Sequence, residues 1–358
     1  MIGSMNRRQF IQATVTGVSV LPQLSASAAE SPAAKSKPHV MTVLGLVPAG
    51  QMGVTLSHEH ITTDFIGAEK VDAPRYEADS AFDLILPHLV ALRERGVATL
   101  VECTPRYIGR EVSLLVRLSR ASGLNILTNT GYYGAVDNKY LPRHAYEESA
   151  DELAARWLRE WTEGIDETGV RPGFMKLGTG KGELPELHRK LVLAAAKVHK
   201  QTGLTICIHT GDGAAAMDEL SLLQSENIAP EAFVWVHAQN DPGPVQQQVA
   251  EMGGWVSLDG YNTAHRNPER YVNFLLALRE KKLLHRVLVS HDDGWAVEGT
   301  EPTEAPLKLF GNGNPRPYES IFTRLISDLR RAQFTEEDIR QVFETNSQNA
   351  LALRVRTA

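Results

Sequence analysis

The sequence has 358 residues, of which 42% are hydrophobic and 22% are charged, and its formal net charge is -6 at pH 7. This composition is ordinary for a globular enzyme, and the acidic balance disfavours a nucleic-acid partner or an anionic membrane surface. The two cysteines, Cys103 and Cys207, each lie inside an apolar segment. We therefore expect two buried free thiols rather than a disulfide or a cysteine metal site.

The first 28 residues have the features of an export signal. Arg7 and Arg8 precede a modest apolar stretch over residues 10–21, and the small residues 26–28 provide a cleavage site. The apolar stretch is too short to act as a stable membrane anchor. Paired arginines indicate a twin-arginine-type signal peptide over 1–28 and a periplasmic or secreted protein, with an ordinary secretory signal as the alternative. Residues 29–40 are predicted to be a linker.

From residue 41 to residue 358 the chain repeats one unit, a short apolar run followed by a loop and an amphipathic helix. The predicted strands are 54–60, 97–103, 124–130, 173–177, 204–209, 233–237, 255–259 and 286–291. The clearest predicted helices are 81–95, 111–121, 150–163, 187–202 and 267–281, and further helices follow at 318–331 and 336–344. Eight strands that alternate with helices predict an α/β fold, namely a single-domain (β/α)8 TIM barrel with C-terminal helices. A doubly wound sheet is the alternative, but no glycine-rich dinucleotide turn follows the first strand.

Polar residues mark the ends of several predicted strands. His58 and His60 lie two residues apart near the end of the first strand, so both point to one face and Glu59 points to the other. Barrel enzymes carry their chemistry at the carboxyl ends of the strands. The corresponding ends of later strands supply Lys176, His209, His237 and Asp292. Histidines with a carboxylate are typical ligands of one or two transition metals, and zinc is the metal that we expect.

Lys176 lies within the apolar fourth strand, where a charged ammonium is costly to bury. One interpretation is a lysine that reaches solvent or pairs with an acid. The functional interpretation is that burial favours the neutral amine, which then captures carbon dioxide and becomes a carbamate. A carbamate is an anionic oxygen ligand that is long enough to bridge two metals.

Several of these segments resemble the phosphotriesterase family of the amidohydrolase superfamily. The resemblance rests on Ser57-His58-Glu59-His60-Ile61, the lysine of strand four, the histidines of strands five and six, and Ser290-His291-Asp292-Asp293-Gly294-Trp295. It extends to Ile108-Gly109-Arg110, to Thr130-Gly131-Tyr132-Tyr133 and to the segment from Phe334 to Asn346. The similarity covers residues 41–353 and implies a barrel hydrolase with two metal ions and a possible homodimer.

The resemblance also implies a role for each ligand. His58, His60 and Asp292 would hold the buried metal, His209 and His237 the exposed one, and carboxylated Lys176 would bridge the two ions. Such a pair of metal ions would lower the pKa of a bridging water to about 7, and the resulting hydroxide would attack the substrate. Tyr133 would face this hydroxide and the substrate.

Two acidic residues are the candidate proton carriers. Asp292 would take the proton of the hydroxide and pass it to Asp259 or to solvent. Asp259 ends the seventh predicted strand and is either catalytic or a structural cap. His291 and Asp293 flank Asp292 and are expected to have supporting or structural roles.

The chain departs from the family pattern at three positions, because it has Asn346-Ser347 where an Asn-Pro pair is usual, Gly260 after strand seven and Asn240 after strand six. These departures disfavour efficient hydrolysis of phosphotriesters. We therefore predict an ester or lactone hydrolase with weak phosphotriesterase activity. Hydrolysis of N-acyl amides is the nearest alternative, and a catalytically inactive periplasmic metal- or ligand-binding protein is the alternative from another class.

Substrate selection is expected in the loops, of which 131–146 and 293–318 are long. A predicted aromatic pocket comprises Tyr132, Tyr133, Tyr261 and Trp295. A predicted anion-binding set comprises Arg143, His144, His265 and Arg266, for which ordinary solvated loop positions are the alternative. Four further histidines are predicted to lie on the surface of helices: His88, His188, His199 and His285.

Overall fold

A short antiparallel hairpin opens the folded part of the chain. The computed structural model describes residues 38–241, 243–262, 268–300, 303–310 and 316–358. The predicted signal peptide and the predicted linker as far as residue 37 lie outside these ranges. The hairpin begins at His39, inside the predicted linker of residues 29–40. The folded unit therefore begins before residue 41, because this segment pairs with the strand that follows it.

The structure has strands at all eight predicted positions. In chain order the strands are β1 (His39–Thr42), β2 (Gly45–Pro48), β3 (Val54–Glu59), β4 (Thr62–Thr63), β5 (Val97–Glu102), β6 (Asn125–Leu127), β7 (Asn129–Thr130), β8 (Phe174–Gly178), β9 (Ile206–His209), β10 (Phe233–Val236), β11 (Trp255–Leu258), β12 (Val287–Val289), β13 (Gly294–Val297) and β14 (Leu307–Phe310). The third predicted strand is split into β6 and β7. The predicted loop 293–318 contains the antiparallel pair β13 and β14, which was not predicted.

The parallel strands follow one another around a barrel. Strands β3, β5 and β6 pair in that order, and strands β7 to β12 pair in sequence order. The last strand returns to the first, where the backbone N–H of Asp292 donates to the carbonyl oxygen of His58 at 3.2 Å. The predicted (β/α)8 TIM barrel is confirmed, and the carboxyl ends of its strands meet at one face.

Helices surround the barrel. They are α1 (Ala78–Glu94), α2 (Val112–Ser122), α3 (Arg143–Glu147), α4 (Ala150–Glu163), α5 (Glu186–Thr202), α6 (Gly213–Ser225), α7 (Pro244–Glu251), α8 (Pro268–Glu280), α9 (Ile326–Arg331), α10 (Glu336–Arg340) and α11 (Asn346–Leu351). Single π-helical turns lead into α9 and join α10 to α11. Among the described residues, no helix combines the length and the apolar character needed to cross a membrane.

Two apolar layers stabilise the barrel. The interior layer consists of alternate strand residues, namely Val101, Cys103, Leu127, Phe174, Cys207, Val234, Val236 and Leu288. The outer layer, between strands and helices, includes Leu100, Ile126, Met175, Ile208, Trp235 and Val289. Each such side chain contributes about 1.5–3 kcal/mol when it is buried. The two cysteines are buried and free, as predicted. The alternation also places Lys176 on the interior face, two residues after Phe174.

Candidate active site

The end of strand β3 presents two imidazoles to the mouth of the barrel. Leu56 lies opposite Leu100 and Glu59 opposite Glu102, so two residues of β3 face a single residue of β5. This bulge re-aims the strand end, as bulges beside functional sites do. The Nε2 atoms of His58 and His60 lie 3.3 and 3.2 Å from Oδ1 of Asp292. One ligand atom from each of these three residues lies within 4.8 Å of the others.

Glu59, between the two histidines, supports the site from the opposite face of the strand. Its Oε1 accepts hydrogen bonds from Ser290 Oγ at 2.6 Å, from the His291 backbone at 3.0 Å and from His291 Nδ1 at 2.8 Å. Its Oε2 accepts from the backbone N–H of Asp293 at 3.0 Å. The buried carboxylate therefore fixes the turn that carries Asp292. No role was predicted for Glu59, although a charged side chain that must point into a core indicates one.

Two of the predicted ligands adopt the left-handed backbone conformation. The φ angles of His237 and Asp292 are 65° and 62°. Non-glycine residues in this region are strained and are concentrated at functional sites. Val236 belongs to the interior layer, so an unbroken strand would direct the next side chain outward. The left-handed turn instead directs His237 into the mouth.

Asp259 connects the two groups of histidines. Its Oδ1 accepts from His237 Nδ1 at 2.6 Å and from Gln239 Nε2 at 3.2 Å. Its Oδ2 lies 3.6 Å from His58 Nδ1. On the other side of the mouth, Nδ1 of His60 is hydrogen-bonded to Thr104 Oγ1 at 2.8 Å. The Nδ1 atoms of His237 and His60 are thus hydrogen-bonded, and that of His58 faces an oxygen just beyond hydrogen-bond distance, so the Nε2 atoms are available as metal ligands.

The remaining predicted residues complete the mouth. The ring centres of His209 and His237 are 4.4 Å apart, and that of His237 is 5.1 Å from His58. Tyr133 lies 5.0 Å from His209, between ring centres, and 5.7 Å from Nζ of Lys176. Lys176 itself is only 2% exposed. The structure thus brings the predicted ligands together around one small volume.

Gly178 makes this arrangement possible at the end of β8. A Cβ atom at this position would lie 2.6 Å from Cδ2 of Tyr133. Side chains cannot approach so closely, so only glycine lets the tyrosine pack over this strand. Burial and the charge of Asp292 raise the pKa of Tyr133 above its ordinary value, so its hydroxyl stays protonated.

The site favours the protonation states that metal ligands require at His58, His209 and Asp292, but not at His237. Burial opposes a charge on His237, but Asp259 raises the pKa of this imidazole above its ordinary value. Burial lowers the pKa of His58 to about 4. Burial, together with the charges of His237 and Lys176, also holds the pKa of His209 well below its ordinary value. Burial opposes the ionisation of Asp292, but the surrounding imidazoles hold its pKa well below the usual range. Neutral imidazoles and an ionised carboxylate are the forms that bind metals.

The donor set fits divalent cations. Within the described residues, the buried Nε2 atom of His58 makes no well-aligned hydrogen bond. An unsatisfied buried nitrogen is costly unless a further partner accepts its lone pair. A metal ion held by His58, His60 and Asp292 provides such a partner. His209 and His237, whose rings are in contact with each other, offer ligands for a second ion.

The predicted aromatic pocket is largely wrong. Tyr132 packs against Trp157, with ring centres 5.3 Å apart, and its hydroxyl is hydrogen-bonded to His144 Nε2 at 2.9 Å. Tyr261 is buried against Tyr271, with ring centres 5.2 Å apart. Both side chains extend the apolar layer behind the strands, and only Tyr133 of the predicted set reaches the site.

Trp295 is the other correction to the predicted pocket. It is 2% exposed and packs against His88 and Tyr318. Its place in strand β13 directs the side chain into the core.

The predicted anion-binding set is not supported at Arg143. The alternative, an ordinary solvated position, fits this residue better, because its exposed side chain pairs with Glu147. The remaining two predicted anion-binding residues, His265 and Arg266, lie outside the described residues.

Two histidines that were predicted to lie on the surface are buried. His188 is 5% exposed, and its Nε2 lies 3.0 Å from the carbonyl oxygen of Gly134. His199 is fully buried, and its Nε2 accepts from the backbone N–H of Arg356 at 2.9 Å. Both face the barrel side of α5 and connect it to other segments. The exposed His285 agrees with the prediction.

An aromatic wall, Phe65, Tyr140 and Phe310, borders the site and was not predicted. The ring of Phe310 lies 5.5 Å from His60 and 5.4 Å from Phe65, between centres. Tyr140 lies 6.2 Å from Phe65 and 5.7 Å from Tyr133. Phe65 remains 37% exposed, so the wall opens to solvent. It offers an apolar surface next to the candidate metal ligands.

Comparison with known proteins agrees with the fold. Residues 38–351 match the model of the phosphotriesterase family. A phosphotriesterase homology protein of Escherichia coli (strain K12) is 29% identical over 298 residues, which is 82% of this chain and 96% of the relative. An aryldialkylphosphatase of Saccharolobus solfataricus is 26% identical over 306 residues, with 84% and 95% covered.

A solved structure is also similar. The organophosphorus hydrolase from Deinococcus radiodurans superposes with a TM-score of 0.78 at 28% sequence identity, and the match covers 89% of this chain and 98% of that one. Further relatives are a phospho-furanose lactonase and N-acetyltaurine hydrolases.

Proposed function

The chain belongs to the phosphotriesterase family of hydrolases, and from that premise we propose that it is a binuclear zinc enzyme that hydrolyses carboxylic esters or lactones. The observation that supports this most is the group formed by His58, His60 and Asp292, with the His209–His237 pair beside it. Imidazole and carboxylate ligands suit zinc, which keeps positions open for water and substrate in catalytic sites.

Lys176 is proposed to be carboxylated and to serve as the ligand shared by the two ions. In this step the neutral Nζ amine forms an N–C bond to carbon dioxide and releases one proton. The burial of the side chain supports the proposal, because a lysine that is 2% exposed does not reach solvent. The carbamate also compensates the charge of two divalent ions in a buried site.

Bound at these ligands, divalent ions supply a water nucleophile at neutral pH and polarise the substrate oxygen. Asp292 is proposed to accept the proton of the attacking water. Its carboxylate is held in the ionised form and its side chain is 25% exposed, so a proton on Oδ can leave to solvent. The protonated hydroxyl of Tyr133 is available to donate a hydrogen bond to the substrate oxygen.

Asp259 is assigned a positioning role rather than a proton relay. Its side chain is fully buried, and its Oδ1 already accepts from His237 Nδ1 and Gln239 Nε2. A carboxylate in this situation orients the imidazoles and stabilises their ligating form. In the alternative, Asp292 would pass its proton to Asp259, but the buried side chain of Asp259 offers that proton no path to solvent.

Esters and lactones are proposed first, because the aromatic wall offers an apolar surface for a neutral substrate. Amide hydrolysis is the second candidate, and the N-acetyltaurine hydrolases among the relatives favour it. Phosphotriesters are proposed to be weak substrates, in view of the aryldialkylphosphatase relative and of the departures at Asn240 and Gly260.

The test is a panel of esters, lactones, N-acyl amides and phosphotriesters assayed with zinc-loaded protein and ranked by kcat/KM. We expect two equivalents of zinc and the highest kcat/KM for an ester or a lactone. An amide at the top of the ranking would favour the second candidate. Two equivalents of zinc with no turnover of any substrate would favour a binding protein and contradict the proposal.

We further propose that the protein is exported through the twin-arginine pathway. Replacing Arg7 and Arg8 by lysine is expected to leave active, metal-loaded protein in the cytosol, because this pathway accepts folded proteins whose signal carries the arginine pair. Cell fractionation with zinc and activity measurements checks this, with Arg171→Lys as a control outside the signal. Normal export of the double variant would show that the signal is of the ordinary secretory type.

A further inference from the structure

Glu219 is a buried acid that lies behind the candidate metal ligands. It projects from α6 toward the barrel and is fully buried. Its Oε1 accepts from Thr179 Oγ1 at 2.5 Å, and its Oε2 lies 2.8 Å from Thr210 Oγ1. Thr179 follows β8 and Thr210 follows β9 directly. The side chain therefore connects the ends of the two strands that carry Lys176 and His209.

With an ionised Glu219, one of the two contacts of the Thr210 hydroxyl at this junction lacks a hydrogen atom of its own. The hydroxyl of Thr210 has one hydrogen, but it lies within hydrogen-bond distance of two acceptors, because the carbonyl oxygen of Ile208 is 3.0 Å away. If Glu219 is protonated, its Oε2–H donates to Thr210 and the Thr210 hydroxyl donates to Ile208. Oε1 then accepts from Thr179, and every contact has one donor and one acceptor.

The charges around Glu219 also favour the neutral form. Burial, helped by the charges of Asp218 and Asp212, raises the pKa of Glu219 to about 8 against the opposing effect of the hydrogen bonds with Thr179 and Thr210. Both acids belong to α6 or its N-cap. The cation of α5 that faces this region, Arg189, is bound by Asp218 at 2.8 Å. Burial raises the pKa of Glu59 to about 8 as well, but each of the four hydrogen bonds to its oxygens comes from a donor with a hydrogen atom of its own.

We propose that Glu219 is a neutral carboxylic acid at neutral pH and acts as a positioning residue, its proton completing a bridge that fixes the ends of β8 and β9 relative to each other. The bridge is reinforced by the backbone, since the N–H of Thr179 donates to the carbonyl oxygen of His209 at 2.8 Å. The consequence for metal binding rests on the proposed function, whereas the protonation state of Glu219 does not.

The first experiment compares Glu219→Gln with Glu219→Leu in the full-length, zinc-loaded protein. The glutamine amide donates from nitrogen and accepts at oxygen, so it reproduces the contacts of the neutral acid. We expect zinc affinity, measured by competition with a chelator, to stay within about twofold of wild type for Glu219→Gln. For Glu219→Leu we expect a loss of about tenfold, the lower end of what supporting residues contribute.

Glu59→Gln is the matched control. A glutamine there has a single acceptor oxygen, so either the Asp293 N–H or the donors of Ser290 and His291 lose their partner. This variant is therefore expected to lose zinc affinity, although it carries the same chemical change. Equal tolerance of glutamine at both positions would contradict the assignment of hydrogens.

The second experiment detects the proton directly. The infrared difference spectrum of wild type minus Glu219→Gln at pH 7 is expected to contain the carbonyl band of a protonated carboxylic acid. This readout does not depend on metal or turnover. It therefore separates a failure of the Glu219 assignment from a failure of the proposed hydrolase activity.

Stability against pH gives a third readout. The folded-state pKa of about 8 exceeds the ordinary value of 4.5, so the contribution of the protonated group is complete below pH 4.5 and is lost as pH rises through 8. We expect the Tm of wild type to fall between pH 6 and pH 9 more steeply than that of Glu219→Gln. Buried Glu59 and Glu102 titrate in the same window but are present in both proteins.

The outcomes decide the proposal even if Glu219→Leu does not fold. A carbonyl band and a flatter pH profile for Glu219→Gln support it. If Glu219 is ionised, the difference spectrum will contain no such band. Glu219→Gln will then also lose zinc affinity, as is expected of Glu219→Leu, which cannot form the bridge. Either of these two results would overturn the proposal.

Discussion

Replacing Lys176 by alanine is expected to reduce kcat/KM by more than about 100-fold and to lower the zinc content. The substitution removes the proposed shared ligand, so less negative charge would be available to hold two divalent cations. Burial at 2% exposure makes the loss severe, because water screens little in such a site. Metal analysis by atomic emission and initial-rate kinetics on the best substrate of the panel measure both effects.

The carbamate is distinguished from a purely structural lysine by chemical rescue. A short carboxylic acid added with zinc is expected to restore part of the activity of Lys176→Ala, because a carboxylate supplies the same pair of oxygens. Lys200→Ala is the control, since that lysine forms an exposed ion pair with Glu226 and contributes at most about 1 kcal/mol. Wild-type activity of Lys176→Ala without additives would remove the carbamate from the mechanism.

The barrel was predictable because its strands and helices have distinct hydrophobic periods. Each interior strand is a short apolar run, and the helices between them repeat apolar residues every three or four positions. Strands β13 and β14 were missed for a physical reason. They pair with each other in a segment rich in glycine and proline, a composition that is typical of loops.

The positions of the candidate metal ligands were predictable to different degrees. His58 and His60 follow from alternation along one strand. His237 does not, because the interior position of Val236 would send the next side chain outward. Its left-handed backbone is stabilised by long-range contacts, since its N–H lies 3.2 Å from both oxygens of Asp259. A contact between residues from different strands cannot be deduced from the periodicity of either strand.

The predicted aromatic pocket failed for a related reason. Tyr261 and Trp295 follow strand ends, so their position along the chain matched that of true site residues. Whether such a side chain turns into the mouth or back into the core depends on the packing behind it. Tyr261 packs against Tyr271 and Trp295 packs against Tyr318, and each partner belongs to a later segment whose position the strand pattern does not determine.

Asp259→Asn is the second variant for which we expect a loss of about 100-fold in kcat/KM, accompanied by weaker zinc binding. The carboxylate presents two acceptors, one toward His237 and one toward His58. An asparagine has one oxygen, so its NH2 group must face one of the two imidazoles. That imidazole then carries its hydrogen on Nε2, and the nitrogen that should bind metal becomes a donor.

Zinc affinity separates this positioning role from the alternative of a proton relay. If Asp259 orients the imidazoles, zinc affinity and kcat/KM fall together in Asp259→Asn. A relay predicts unchanged zinc affinity with a lower kcat and an altered pH profile. Asp241→Asn is the control, because that acid lies at the same end of the barrel and accepts a hydrogen bond from the Gly213 N–H but contacts none of the candidate ligands in the described structure. Full zinc affinity in Asp259→Asn would therefore contradict the positioning role. It would indicate that Asp292 passes its proton to Asp259 rather than to solvent.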